Sequence, residues 1–239
     1  MRFAALVFGL LLIAGSAGAQ EWDEYTSLQD GFRINFPGTP KVTEGKWTSQ
    51  LNYVLPDRVY SAERGKERYS VTVVDYSGIE QQGIERAKSC PPGNANCRAN
   101  APATLGPGYS HHDERGAIVY ATFKLLQRDA KVNYLAWDWQ DLVEGHIVQL
   151  TNNTDRSRTY VAIYMHDNRL YMLEGTVPSG FPEPALFQQS LGFVDKNGNG
   201  IRYSDYYDND YPAPPPARRP GAAAPQPGAV ATPPPVPGR

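Results

Sequence analysis

The stretch Tyr69–Cys97, YSVTVVDYSGIEQQGIERAKSCPPGNANC, constrains the fold more than any other part of this chain. Tyr69, Val71 and Val73 share one parity; Val74 and Tyr76 share the other. β-Branched and aromatic residues on both parities suit a strand whose two faces are both at least partly covered. Ser77 and Glu80 then form a Ser-x-x-Glu capping box, in which the hydroxyl takes a helix N–H while the carboxylate reaches back. Glu80 and Glu85 come early and Arg86 and Lys88 late, as the helix dipole prefers. Pro91 and Pro92 cannot continue a helix. The stretch therefore predicts a strand, a helix over 78–89 and a loop that two cysteines can close.

Those cysteines take their meaning from the N-terminus. Arg2 precedes the apolar run FAALVFGLLLIAGSAGA, which closes on Ala17-Gly18-Ala19. A charged start, an apolar core and small residues at the exit are a secretory signal, predicted over residues 1–19 with cleavage after Ala19. An uncleaved anchor is the alternative, but the run is short of the about 20 residues that span a bilayer. No later segment is apolar enough to span one. In a periplasmic or secreted chain, Cys90 and Cys97, the sole cysteines, read as one disulfide. A zinc site is the alternative, but it ordinarily wants four Cys or His ligands. The spacing is not Cys-x-x-Cys, so redox chemistry is not indicated.

Residues 20–211 suit one domain, and 212–239 a tail. The tail holds mostly Pro, Ala and Gly, too little apolar surface to offset the entropy of ordering it, so disorder or polyproline II is expected. The formal net charge is −2 and no basic stripe marks a nucleic-acid surface.

Along the domain, Phe32, Ile34 and Phe36 alternate with Arg33 and Asn35, a strand with one buried face that ends in Pro37-Gly38. A further strand follows over 42–50. Residues 57–63 and 68–75 form a hairpin around Arg64-Gly65-Lys66. From Asp113 to Arg128 a helix is predicted, with Asp113 as cap and Val119, Phe123, Leu126 and Ala130 as its apolar stripe. Two hairpins come next: 132–140 with 146–150, turning at Glu144-Gly145, and 158–166 with 169–177, turning at Asp167-Asn168. A short helix over 182–191 starts on proline and stops at Gly192. Strands, helices, strands and a helix in that order predict an α+β domain: an antiparallel β-sheet with flanking helices.

Two stretches carry a family resemblance. GFRINFPGTP at 31–40 resembles the opening of PsbP-like proteins. RLYMLEGTVP at 169–178 with FQQSL at 187–191 resembles how those domains close. The resemblance implies an α/β/α sandwich and a role as an accessory or binding module rather than an enzyme. It carries over no catalytic or metal residue.

Several clusters invite chemistry. Ser110-His111-His112-Asp113 holds the residue types of a hydrolase triad, but triad members converge from separate places and neighbours in sequence diverge; a loop into an Asp-capped helix is the plainer reading. Asp195-Lys-Asn197-Gly-Asn199-Gly200 resembles the start of a calcium loop, with Asp205 as a further oxygen ligand. The twelfth position is Tyr206 rather than Glu, and an Asn-Gly turn accounts for the same residues. Tyr203, Tyr206, Tyr207 and Tyr211 among Asp205, Asp208 and Asp210 read as a partner- or carbohydrate-facing patch, or as a solvated hinge before the tail. Trp137 and Trp139 share a strand face, either packed or as an exposed platform. Asn152-Asn-Thr154 is a glycosylation sequon.

The resulting expectation is a non-catalytic exported accessory or binding module with no cofactor, recognising a protein or envelope ligand. A small periplasmic hydrolase using His111 and His112, and a weak calcium module using Asp195, Asn197, Asn199 and Asp205, are the alternatives.

Overall fold

The computed structural model describes residues 22–89 and 109–209. The signal segment, Cys90, Cys97 and the tail lie outside the described residues. In chain order the elements are β1 (Trp22–Ser27), β2 (Phe32–Pro37), β3 (Lys41–Thr48), β4 (Val54–Arg64), β5 (Glu67–Asp75), α1 (Ile79–Lys88), α2 (Tyr109–Arg115), α3 (Ala117–Leu126), β6 (Ala130–Gln140), β7 (Val143–Asn152), β8 (Arg158–His166), β9 (Arg169–Val177), α4 (Ala185–Gln188) and β10 (Gly192–Phe193).

Among the described residues, strand accounts for 50% and helix for 18%. The strands form two antiparallel sheets, a large one in the order β3-β4-β5-β9-β8-β7-β6 and a small one in the order β1-β2-β10. The fold is thus a β-sandwich, not the expected α/β/α sandwich with helices on both faces of one sheet. The reason lies in β1 and β2. Residues 21–27 read as a lead-in and 32–36 as one more strand of a single sheet. They instead pair with each other from Trp22↔Pro37 to Ser27↔Phe32 and, with β10, make a separate layer. That layer takes the face where a second set of helices was expected.

Both faces of β5 are at least partly covered, as its sequence predicts: one parity is buried throughout, and the other is buried at Val74. Tyr69, Val71 and Val73 meet Phe32, Ile34 and Phe36 of β2, with Tyr171, Leu173, Phe187 and Phe193, between the sheets. Val74 and Tyr76 face the other way, packing with Val161, Ile163 and Leu170 under Ile79 of α1 and Ala117, Ala121 and Leu125 of α3. Each fully covered side chain of this size contributes about 1.5–3 kcal/mol of transfer free energy, so one strand anchors two cores.

Local details depart from expectation in instructive ways. The capping box does not form: Gly78 is the N-cap of α1 without a side-chain bond, and Ser77 turns back to Asp75. Residues 113–128 form α3 and part of α2 rather than one helix. Asp113 is buried inside α2 rather than capping, where its carboxylate accepts from the Ser49 hydroxyl and the Leu51 N–H. The buried face of α3 is Ala117, Ala121, Thr122 and Leu125, while Val119 and Phe123 are exposed. The β8–β9 turn falls at Asp167-Asn168 with φ of 47° and 54°, as a two-residue hairpin loop requires. The β6–β7 turn falls at Asp141-Leu142 rather than Glu144-Gly145. Gly145 is a strand residue, kept small because Tyr164 of β8 lies across it.

A buried polar knot joins the sheets at the β1–β2 turn. Asp30 is 0% exposed. Its carboxylate accepts both guanidinium arms of Arg58 on β4, one at 2.7 Å, and the Tyr60 hydroxyl at 2.5 Å. Ser27 Oγ lies 2.9 Å from the Tyr60 hydroxyl, and Tyr171 donates to the Asp30 carbonyl at 2.7 Å. Burial, then the Asp30 contact, pushes the Tyr60 phenol up to about 12, and the Asp30 bond raises Arg58 further above its ordinary range.

Candidate functional site

The site is built where β10 hands over to residues 194–209. This segment is a strap across the end of the sandwich rather than a solvated hinge. Asp195 Oδ1 accepts the N–H groups of Asn197 and Asn199 at 2.8 and 2.9 Å, and Gly198 at φ 84° completes the tight turn. An Asp that bonds the backbone two residues on is the ordinary chemistry of Asx turns. Ile201 N–H then returns to the Phe193 carbonyl at 2.8 Å. Further on, Tyr207 N–H donates to the Leu142 carbonyl at 3.1 Å and its hydroxyl accepts the Asp167 N–H at 2.8 Å. Asn209 closes the strap. Its side chain accepts from Asn168 N–H at 2.9 Å and donates to Asn168 Oδ1 at 2.7 Å and Glu114 Oε1 at 3.2 Å.

His166, the last residue of β8, lies under the strap. Its ring stacks on Phe193 with centroids 4.1 Å apart and planes 14° from parallel. Tyr207 packs at 4.7 Å, and the Tyr203 hydroxyl meets Nε2 at 2.7 Å. Burial pulls the imidazole pKa down to about 4, opposed by Asp167 and reinforced by Arg169. His166 is therefore a neutral packing residue at physiological pH.

Strap, β8–β9 turn and the loop after β1 enclose a cleft of about 660 Å³. Tyr206, 74% exposed, stands at its rim. Asp167, Asp195, Asp205 and Asp208 supply carboxylates, and Arg169 and Lys196 supply cations. Arg169 is held to Asp167 at 2.6 Å. A second cleft of about 470 Å³, between the β4–β5 hairpin and the far ends of β7 and β8, is walled by the Arg128–Glu174 ion pair at 2.9 Å and polar side chains.

The other sequence candidates are placed apart. His111 and His112 lie on α2, with His111 Nδ1 3.7 Å from Glu114. His146 sits on β7, where Nδ1 meets Thr122 of α3 at 2.8 Å and the ring abuts Trp137. His111, His146 and His166 thus have three different sets of partners. Of the calcium candidates, Asp195, Asn197 and Asn199 share the Asx turn, whereas Asp205 bonds Ser204. Among the described residues no three His, Cys, Asp or Glu side chains are grouped to hold a metal ion. No described helix is long and apolar enough to cross a membrane. Asn152 of the sequon directs its amide to Ser157 and Thr159. Trp137 and Trp139 are exposed, on the edge strand β6.

Sequence reading picked out the tyrosines and Asp195 but not Asp167 and Arg169 as cleft residues. They enter the cleft only because the strap folds back over the β8–β9 turn, a contact between residues about 40 positions apart.

No protein-family model matches this chain, no curated protein matches it, and neither comparison indicates a PsbP-like family.

The buried imidazole gives the strap a pH signature. The unfolded chain takes up this proton near 6.5 and the folded one near 4. The contribution is present in full above pH 6.5 and is lost as pH falls to about 4, amounting to about 3 kcal/mol. Asp113 and Glu114 act oppositely. Burial raises both, so they add stability as pH falls. Comparing wild type with His166→Phe isolates the first effect. The variant keeps the stack on Phe193, and its denaturation midpoint should fall less steeply with acidification than that of wild type.

Proposed function

We propose that this chain is a non-catalytic exported accessory module that binds a saccharide ligand of the cell envelope in the strap cleft. One observation carries the reading: an exposed tyrosine ring and four carboxylates face a common cleft whose walls are pinned by the fold. Ring faces cover the apolar C–H surface of a sugar, and carboxylates accept hydrogen bonds from its hydroxyls, the mix of apolar body and few placed polar groups that small-molecule sites use. His166, the histidine that lines the cleft, is committed to Phe193 and Tyr203, which favours binding over acid–base chemistry. The predicted signal segment supports an exported location, and the proline-rich tail would serve as spacer or envelope tether.

A glycan array of neutral and acidic oligosaccharides, followed by calorimetry on the mature chain, tests this. A ligand should bind, and Tyr206→Ala should weaken it about tenfold or more, as loss of an aromatic anchor does, with the melting temperature unchanged. Absence of binding across the array, or equal binding by Tyr206→Ala, would overturn the reading.

A further inference from the structure

The large sheet has two edges, and they differ. β3 carries Lys41, Glu44 and Lys46, the charges by which edge strands discourage pairing. β6 is 11 residues long and carries Lys131 at its start and Asp138. That one carboxylate is turned inward, accepting the Tyr164 hydroxyl at 2.5 Å. The bulge at Asn133 lies near one end, leaving Tyr134–Gln140 as a regular run with its outer backbone edge unpaired by any described strand.

The helix-side face of this run is apolar. Leu135, Trp137 and Trp139 lie opposite Val148, His146 and Glu144 of β7 and are all exposed, with Trp137 at 59% and Trp139 at 49%. Val132, across the bulge, is exposed on the same face. α3 adds exposed Val119, on the flank that carries Thr122 and its bond to His146. The two indole rings alone leave roughly 200 Å² of apolar surface open, since such a ring can bury about 150–250 Å². With the aliphatic side chains the patch reaches on the order of 400 Å², within the about 300–600 Å² of the largest, often functional patch on a typical monomer.

We propose that β6 is a homodimer interface, in which a second copy of this chain adds its own β6 antiparallel and continues the sheet. The run is self-complementary about Trp137. With the two-fold axis there, Trp137 faces Trp137 of the second copy and Leu135 faces Trp139 on the apolar side. On the other side Ala136 faces Asp138 and Tyr134 faces Gln140. No like charges oppose one another, and each aromatic or β-face residue meets an apolar or neutral partner, as cross-strand pairs prefer. The added apolar burial and main-chain hydrogen bonds bring the area toward the about 800 Å² per partner of a stable complex. The inference does not depend on the strap cleft.

Sedimentation velocity of the mature chain across the micromolar range tests it, together with two variants. Wild type should sediment as a dimer. Trp137→Glu places two carboxylates at the axis and should give a folded monomer, with an unchanged far-ultraviolet circular dichroism spectrum and a melting temperature that no longer rises with concentration as that of the dimer does. Trp137→Cys should oxidise to a covalent dimer, because directly opposed residues bring their Cβ atoms within about 5 Å, near disulfide reach; Val42→Cys on β3 should not. A monomeric wild type throughout that range, a dimer that survives Trp137→Glu, or cross-linking no faster than for Val42→Cys would overturn the proposal.

Discussion

Replacing Asp30 by Ala should cost about 3–5 kcal/mol of folding stability, the loss seen when one partner of a buried ion pair is removed. Asp30 is wholly buried and meets Arg58 through both guanidinium arms, and the Arg58 side chain is 18% exposed. Removing the carboxylate leaves a largely desolvated cation without its counter-charge and takes the acceptor from Tyr60. Because β1–β2 belongs to one sheet and β4 to the other, the damage falls on the docking of the two sheets. Asp30→Asn keeps the shape and one acceptor oxygen, and should lose less than Asp30→Ala. Urea denaturation of the three proteins checks the order wild type, Asn, Ala. Equal midpoints for wild type and Asp30→Ala would show that the knot does not hold the sheets together.

The second large effect is expected at Gly145. A Cβ there would stand 2.2 Å from the Ile163 carbonyl oxygen and 2.3 Å from the Tyr164 ring. Neither can withdraw easily: the carbonyl belongs to the neighbouring strand, and Tyr164 is buried with its hydroxyl on Asp138. Asp138, Gly145 and Tyr164 lie in one row across β6, β7 and β8, so the tyrosine crosses above the glycine to reach the edge strand. Gly145→Ala should therefore cost about 3 kcal/mol, combining overpacking of about 1–3 kcal/mol with the loss of a charge-assisted hydrogen bond worth about 1.5–3 kcal/mol. Tyr164→Phe, which loses only the hydrogen bond, should cost less. Thermal denaturation of both variants checks the order; a neutral Gly145→Ala would contradict the close approach of β7 and β8.

How much of this was legible in the sequence depended on how local each cause was. The β8–β9 hairpin was read to the residue, because Asp-Asn is turn chemistry flanked by apolar alternation. α1 was placed within a residue at its start, although the Ser77–Glu80 capping box that placed it does not form. Gly145 misled, since a glycine that serves close packing looks in sequence like one that serves a turn. The α3 stripe was assigned to Val119 and Phe123, but the helix buries small residues, Ala117 and Ala121, to approach the sheet closely. The fold class was missed for a non-local reason. Whether Phe32–Phe36 joins the main sheet or seeds a second one is decided by pairing with 22–27 and 192–193, and nothing local encodes it. The same holds for the cleft. Its tyrosines stood out as a cluster, yet the bonds of Tyr207 to Asp167 and Leu142, and of Asn209 to Asn168, join residues tens of positions apart.

The most direct test of the account is to map a bound oligosaccharide by amide and side-chain chemical shifts on the mature chain. The account predicts perturbations confined to Tyr203, Tyr206, Tyr207, the 195–199 turn and Asp167–Arg169. Shifts centred on His111 and His112, or on β6, with the strap unmoved, would contradict it.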